Sequence, residues 1–148
     1  MLSDLTTNQK GAIAEAAIAL TTVKLGIDVY KPLVDGGRYD LIFDVESRLV
    51  RVQCKWATHR GSVIVVPCYS ARRTRDGLSR RLYTADEIDA YAAYCRDLDT
   101  SYFLPIEQFA GRTYIQLRLD PTRNNQRGRI NWANDFELIA TLRRQAGP

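Results

Sequence analysis

The sequence predicts a mixed α/β domain in which helices cover a β-sheet. Apolar and polar residues alternate on both sides of Glu46-Ser47, which indicates a β-hairpin with its turn at these two residues. The patterns around it give the order helix, strand, hairpin, strand, helix, strand, strand, helix. The chain has 148 residues, the length of one domain. We therefore expect a single domain over residues 1–148, with a core at about 6–119 and the region 112–148 packed on it.

The composition is that of an ordinary globular protein. Hydrophobic residues make up 45% and charged residues 26%, and 21 Lys and Arg against 17 Asp and Glu give a net charge of +4. No apolar stretch approaches the length of a membrane span, and the start of the chain lacks a signal-peptide pattern. Three cysteines without a CxxC spacing fit a reducing compartment. These features predict a cytoplasmic protein with no membrane partner.

The first helix is predicted over residues 6–25, followed by a short strand at 27–33. Thr6 and Gln9 form a capping-box pattern at the start of the helix, and Gly26 provides its stop. The stripe expected to face the sheet consists of Ile13, Ala17, Leu20 and Lys24. The many alanines around this stripe would let the helix lie very close to the sheet.

Folding the hairpin about its turn sets the register, with Phe43 opposite Val50 and Asp40 opposite Gln53. Side chains two apart share one face of a strand. The core face then carries Tyr39, Leu41, Phe43, Val45, Val50, Val52, Cys54 and Trp56. The other face brings Asp40, Gln53 and Lys55 together at the open end of the hairpin.

The later elements follow from shorter patterns. A near-continuous apolar run predicts a strand at 62–67 that is buried on both faces. The stretch 69–83 lacks apolar periodicity and is predicted to be a loop. Thr84 with Glu87 gives a second capping-box pattern, which predicts a helix over 84–95. The domain is completed by strands at 101–106 and 112–119 and by a last helix at 132–144.

Basic residues concentrate in two segments. The first holds Arg72, Arg73, Arg75, Arg80 and Arg81 against one acid, which favours contact with a polyanion over a plain solvated loop. The second holds Arg123, Asn124, Asn125, Gln126, Arg127 and Arg129. Amides can read base edges while arginines bind phosphate or guanine, although such residues also suit a surface turn. Both segments are therefore candidate DNA-binding elements.

The residues gathered by the hairpin suit phosphodiester hydrolysis with a divalent metal ion, which prefers oxygen ligands. Asp40 supplies a carboxylate, Gln53 a side-chain carbonyl and Cys54 a backbone carbonyl. Lys55 would stabilise developing charge or orient the attacking water. Glu15 either points to solvent from the first helix or leans over the sheet to join Asp40.

These residues resemble the motif of the PD-(D/E)XK nuclease superfamily. The match consists of Tyr39-Asp40, Gln53-x-Lys55 and the preceding Gly11-Ala-Ile-Ala-Glu15. The chain is more closely similar to the branch that includes group I intron-encoded homing endonucleases, in which glutamine commonly replaces the glutamate of the motif. The segments Asp89-Ala-Tyr91, Tyr102-Phe-Leu-Pro105 and Asn131-Trp-Ala-Asn-Asp135 extend the resemblance, which covers roughly residues 11–137.

The resemblance implies a restriction-endonuclease-like α/β core with a mixed central sheet flanked by helices. It also implies metal-dependent, site-specific cleavage of double-stranded DNA by a homodimer or homotetramer. By position, Asp40, Gln53 and Glu15 would be metal-site residues, and Lys55 would be catalytic. The expected ion is Mg²⁺, with Mn²⁺ able to substitute and Ca²⁺ able to bind without turnover.

Two departures and two alternatives accompany this expectation. Tyr39 stands where the motif has its proline, and the amide of Gln53 gives the ion one negative charge fewer than an acid would. A Holliday-junction-resolvase-like nuclease would share the core and the chemistry. A catalytically degenerate DNA-binding module would keep the basic segments without activity.

Overall fold

The computed structural model describes residues 4–120 and 130–145, without the side chain of Arg72. The helices are α1 (Thr7–Lys24), α2 (Ile106–Phe109) and α3 (Leu138–Gln145), with a 3₁₀ helix at Ala133–Phe136. The strands are β1 (Asp28–Tyr30), β2 (Leu41–Val45), β3 (Arg48–Arg60), β4 (Val63–Pro67), β5 (Tyr69–Thr74), β6 (Gly77–Leu82), β7 (Ala90–Cys95), β8 (Thr100–Pro105) and β9 (Tyr114–Arg118). No helix within the described ranges has the length and apolar character needed to cross a membrane.

The long strand β3 is the centre of a seven-stranded mixed sheet. It pairs antiparallel with β2 through its first residues, parallel with β7 through Val52 to Ala57, and antiparallel with β4 near its end. Strand β1 extends the sheet beyond β2, β8 beyond β7, and β9 beyond β4. The expected mixed α/β sheet with flanking helices is confirmed.

Two hydrophobic clusters stabilise this sheet. One cluster joins α1 and α3 to the sheet through Ala14, Ile18, Phe43, Val52, Leu138 and Leu142. The other contains residues of β4, β7, β8, β9 and α2, among them Ile64, Tyr91, Leu104, Phe109 and Leu117. Burial of large apolar side chains on both sides, at roughly 1.5–3 kcal/mol each, stabilises the sheet that carries β2 and β3.

The predicted hairpin register is confirmed, since Phe43 pairs with Val50. Glu46 and Ser47 both have positive φ, at 50° and 65°, as a two-residue hairpin turn of right-handed twist requires. Tyr39 was predicted to share a core face with Leu41 and Phe43, but it packs against the other hydrophobic cluster. It lies before the first residue of β2, where strand alternation does not yet apply.

Helix α1 has the predicted start and stop but a different buried face. Thr6 and Gln9 form the reciprocal capping box, and Gly26 takes a φ of 83° beyond the end of the helix. The buried residues are Ala14, Ile18 and Thr22, whereas Leu20 of the predicted stripe is 57% exposed. Alanines surround the helix on every side, so the apolar pattern did not single out one face.

The stretch predicted as a loop at 69–83 is instead the antiparallel hairpin of β5 and β6. Its register sets each of the four strand arginines opposite an uncharged residue, which avoids like charges across the ladder. Every residue of β6 is exposed. A ribbon without a buried face has no alternating apolar pattern, and this explains the wrong prediction.

The helix predicted over 84–95 is wrong. The capping pattern is real but closes a single turn, with Glu87 N donating to Thr84 O at 3.0 Å and Glu87 Oε1 accepting from Thr84 N at 3.2 Å. The chain then enters β7, whose residues are all buried. A short apolar strand covered on both faces cannot be distinguished from a buried helix by periodicity alone.

The remaining predicted elements need smaller adjustments. The predicted strand at 27–33 shortens to β1, and β4 is fully buried along one face only. The last helix divides into the 3₁₀ helix and α3, in which Leu142 is buried while Ile139 is 43% exposed.

Candidate active site

Asp40 stands immediately before β2 and is fixed to β3 by two hydrogen bonds. Its amide donates to Val52 O at 2.9 Å, and its carboxylate Oδ2 accepts from the Cys54 amide at 2.9 Å. The carboxylate is therefore held one residue from both Gln53 and Lys55. This arrangement is the one that the hairpin register predicted for the open end.

Glu15 faces the same recess as Asp40. Both line a groove of about 310 Å³ between α1 and the segment at 31–40, together with Lys31, Asp35 and Tyr39. Glu15 Oε1 lies 2.6 Å from Lys31 Nζ, and the Glu15 side chain is 26% exposed. Glu15 therefore does not point into open solvent, which was one of its two predicted orientations, but lies in the groove with Asp40.

Gln53 carries a buried oxygen without a hydrogen-bond donor. Its side-chain Nε2 donates weakly to Cys54 O at 3.4 Å, whereas no donor in the described ranges reaches Oε1. A buried acceptor without a partner costs about 1–3 kcal/mol. A buried acceptor of this kind calls for a partner, which a ligand or an ordered water molecule can supply.

Lys55 extends from β3 toward the base of the β5–β6 hairpin. Its Nζ donates to Tyr69 O at 2.8 Å and lies 5.0 Å from the centre of the Tyr83 ring. Burial lowers the pKa of the Lys55 ammonium, because the charged form loses hydration. The nearby Asp40 carboxylate partly offsets this effect.

Burial also raises the pKa of the Asp40 carboxyl, and the negative charge of Glu15 raises it further. The Cys54 amide and the charges of Lys55 and Lys31 act in the opposite direction. Two carboxylates thus share a partly desolvated recess that a divalent cation would neutralise.

The donor set suits a hard divalent cation. Asp40 and Glu15 offer carboxylates, Gln53 its unpartnered oxygen and Cys54 its backbone carbonyl, all of them oxygen ligands. Across residues 4–120 and 130–145, no group of three or more His, Cys, Asp or Glu side chains forms a metal cluster. The candidate ion therefore depends on amide and backbone oxygens as well as on the two acids.

The first basic segment lies on the β5–β6 hairpin. Arg73, Arg75 and Arg80 are exposed, and the Arg80 guanidinium lies 4.6 Å from the centre of the Tyr69 ring. Arg81 Nη2 lies 2.8 Å from Glu87 Oε2, and Arg72 pairs with Ser79 through the strand register. The second predicted segment, Arg123, Asn124, Asn125, Gln126, Arg127 and Arg129, lies outside the described residues.

Sequence reasoning missed three charged residues around the site. Lys31 pairs with Glu15, and Arg38 pairs with Glu87 at 2.7 Å between Nε and Oε2. Of these three residues, the sequence pattern had singled out only Glu87, as part of a helix cap. Their partners are distant in sequence, so no local spacing could have indicated these contacts.

Comparison with known proteins agrees with this geometry. The PD-(D/E)XK endonuclease family model matches residues 5–139. A solved structure described as that of a bacterial homing endonuclease, I-Ssp6803I, is similar with a TM-score of 0.75 and 30% sequence identity, over 97% of this chain and 96% of that one. A search of curated proteins gives no match. Families of this type generally use divalent metals, typically Mg²⁺. The chain belongs to the PD-(D/E)XK endonuclease family and is a nuclease.

Proposed function

We propose that this nuclease is a metal-dependent, site-specific endonuclease that hydrolyses phosphodiester bonds of double-stranded DNA. The residues proposed for catalysis are Asp40, Gln53, Lys55 and Glu15. The similarity to I-Ssp6803I, described as a homing endonuclease, supports a target within duplex DNA.

The observation that carries the proposal is the buried, unpartnered oxygen of Gln53 beside the fixed carboxylate of Asp40. Folding rarely leaves a buried acceptor without a donor unless a ligand or an ordered water molecule completes it, and a metal ion is the ligand that suits an oxygen beside a carboxylate. An amide oxygen is a neutral ligand for Mg²⁺, which accepts few protein ligands and retains water molecules. The site therefore favours a hydrated Mg²⁺, which Mn²⁺ can replace, and Ca²⁺ is expected to bind without turnover.

Each residue has a separate task in this proposal. Asp40, Glu15, the Gln53 oxygen and the Cys54 carbonyl would hold the ion, which supplies Lewis-acid polarisation of the phosphate when bound. Lys55 would donate hydrogen bonds to the phosphate oxygens as negative charge develops there, and would orient the attacking water. The low local polarity around its ammonium strengthens that interaction.

The β5–β6 hairpin provides a surface for DNA. Its two strands of six residues extend about 20 Å, and Arg73, Arg75 and Arg80 project into solvent. A two-stranded ribbon fits the major groove of duplex DNA, where arginine contacts phosphates or guanine. The hairpin base also holds Lys55, so DNA bound there would lie against the active site.

Cleavage of DNA by matched variants tests this function. Lys55→Ala should lower the single-turnover rate of duplex cleavage in Mg²⁺ by at least about a hundredfold, because charge stabilisation and orientation of the attacking water are lost. Its affinity for the same duplex in Ca²⁺ should remain. Lys24→Ala removes the same charge from the end of α1 and should leave both quantities unchanged. Equal loss of binding and cleavage in Lys55→Ala would assign Lys55 a structural role.

Two further assays distinguish the proposed function from a junction-resolving nuclease and from an inactive DNA-binding module. A four-way junction cut faster than linear duplex would favour the junction-resolving function. Intact plasmid and genomic DNA after incubation with Mg²⁺ or Mn²⁺, identical to the result with Asp40→Ala, would leave only a DNA-binding module. Cleavage at a defined duplex site that Asp40→Ala abolishes is the expected result.

A further inference from the structure

Arg38 lies two residues before Asp40 and binds both strands of the β5–β6 hairpin at their base. Its Nη1 donates to Ser70 Oγ at 3.1 Å, and its Nη2 donates to Leu82 O at 2.7 Å. The guanidinium also forms the ion pair with Glu87 and stacks 3.9 Å from the centre of the Tyr83 ring. One side chain therefore attaches the DNA-facing hairpin to the loop that carries Asp40.

Lys55 contacts the same base of the β5–β6 hairpin. Its Nζ is bound by the carbonyl of Tyr69, the residue before Ser70. The Tyr83 ring that stacks on Arg38 also lies near Lys55 Nζ. A displacement of the hairpin base would therefore move the group that holds the Lys55 ammonium.

The contacts of Arg38 distinguish it from the exposed hairpin arginines. Its side chain is 21% exposed, and its Nη1 and Nη2 donate to protein acceptors. Arg73 instead projects into solvent. A planar guanidinium with several fixed donors can bridge Ser70, Leu82 and Glu87 at once. A lysine ammonium cannot reproduce this arrangement.

We propose that Arg38 is a positioning residue that fixes the hairpin base to the active site and so couples DNA binding by the hairpin to the placement of Lys55. The inference rests on the proposed function of Lys55. A displacement of about 1 Å in a reacting group can cost about a hundredfold in rate. The loss of the Arg38 contacts, which we call the clamp, should therefore slow the chemical step.

The test compares Arg38→Met, Arg38→Lys and Arg112→Met. Methionine keeps an apolar stem near Tyr83 but removes the charge and the donors. Arg112 is the control, because it is exposed and its guanidinium lies 6.0 Å from the centre of the Phe109 ring in α2. The measurements are the duplex dissociation constant in Ca²⁺ and the single-turnover cleavage rate in Mg²⁺ at saturating enzyme.

The saturating rate should fall about a hundredfold in Arg38→Met, while the dissociation constant changes by less than about threefold. Arg38→Lys should restore little of the rate, and Arg112→Met should match the parent protein in both measurements. In a further variant, Arg38→Ala, millimolar guanidinium should partly restore cleavage. It would not do so if the substitution had only lowered the stability of the whole protein. A weakened affinity with an unchanged saturating rate would make Arg38 a DNA contact and overturn the proposal.

Hydrogen exchange provides a readout that does not need cleavage. The amides paired between β5 and β6 should exchange faster in Arg38→Met, with the sheet amides of β3 and β7 unchanged. If Arg38→Met does not fold, Glu87→Gln weakens the same clamp from its other end and should lower the saturating rate. Unchanged hairpin exchange, or an unchanged rate in Glu87→Gln, would contradict the coupling. A parent protein that cuts no DNA but shows the predicted exchange would refute the proposed function and leave the clamp in place.

Discussion

Gln53 occupies a position where a carboxylate would be a stronger ligand for a divalent cation. Its unpartnered Oε1 costs stability in the folded protein, and the proposed function makes this oxygen a neutral ligand for the metal ion. The same residue also made the sequence match informative, because glutamine at this position pointed to one branch of the superfamily. The Gln53 side chain thus lowers the stability of the fold at the position where it is proposed to bind the metal ion.

Gln53→Met should stabilise the metal-free protein by about 1 kcal/mol, because it removes the buried oxygen while nearly keeping the side-chain length. Urea unfolding in EDTA measures this difference. Gln116→Met on the exposed face of β9 is the matched control and should change stability by less than about 0.5 kcal/mol. A loss of stability in Gln53→Met would mean that the Gln53 amide makes stabilising hydrogen bonds in the folded protein. Its oxygen would then not be free to bind a metal ion.

Arg51 and Asp89 join β3 to the turn that precedes β7. Arg51 N and Nε both donate to Asp89 Oδ2, at 2.8 and 3.1 Å, and its Nη1 donates to Asp86 O at 2.6 Å. Burial raises the pKa of the Asp89 carboxyl, but the hydrogen bonds and charge of Arg51 outweigh this and leave the pKa below its ordinary value. The ion pair therefore contributes stability above the unfolded pKa of about 3.9 and loses it as pH falls through the folded pKa.

Asp89→Asn should cost about 2 kcal/mol at pH 7, since charge-assisted hydrogen bonds are lost. The difference from the parent protein should shrink as the pH falls below the unfolded pKa of about 3.9 and toward the lower pKa of Asp89 in the folded protein. Urea unfolding at several pH values measures it. Asp86→Asn is the control, because Asp86 meets Arg51 through its backbone carbonyl. A constant difference across the pH range would rule out the charge as its cause.

At the scale of elements, local signals predicted the hairpin well and the buried strand poorly. The turn at Glu46-Ser47 and the alternation around it lie within one short stretch, and that stretch contains Asp40, Gln53 and Lys55. Strand β7 pairs in parallel with β3 across more than 30 residues of chain, and both of its faces are covered. Neither a distant pairing nor uniform burial leaves a periodic pattern in the sequence.

The β5–β6 hairpin illustrates the same limit from the opposite side. Its arginines led to the prediction of a polyanion-binding segment, because charge can be counted directly in the sequence. Its strand character was missed, since no face is buried and the register becomes visible only in the structure. The clamp by Arg38 was equally inaccessible, because Arg38 and Glu87 are separated by 49 positions.

Replacement of Arg73 and Arg75 by glutamine should lower the salt dependence of duplex binding. If both contact phosphates, the slope of log affinity against log salt should fall by about 2, because fewer counterions are released. Arg48→Gln with Arg143→Gln removes two exposed charges from other elements and should leave the slope unchanged. An equal change in both double variants would indicate a general charge effect and would place the DNA interface elsewhere.

For the whole molecule, the described residues provide one set of Asp40, Gln53, Lys55 and Glu15 per chain. In the proposed function, one such set would act on one phosphodiester bond at a time, and the two strands of a duplex run in opposite directions. Cleavage of both strands at one target is therefore best served by two copies related by a two-fold axis. We expect a homodimer or homotetramer, with a target whose two halves are approximately symmetric.

Mixed assemblies test this expectation directly. Parent protein and Asp40→Ala, co-expressed with different tags and purified through both, should cut one strand and leave plasmid circles nicked, because only one of the paired sites is active. Parent assemblies carried through the same two-tag purification should give linear product, which controls for the tags. Sedimentation on target DNA should give a mass of two or four chains. A monomer mass, or linear product from the mixed assembly at the parent rate, would mean that one chain reaches both strands in turn.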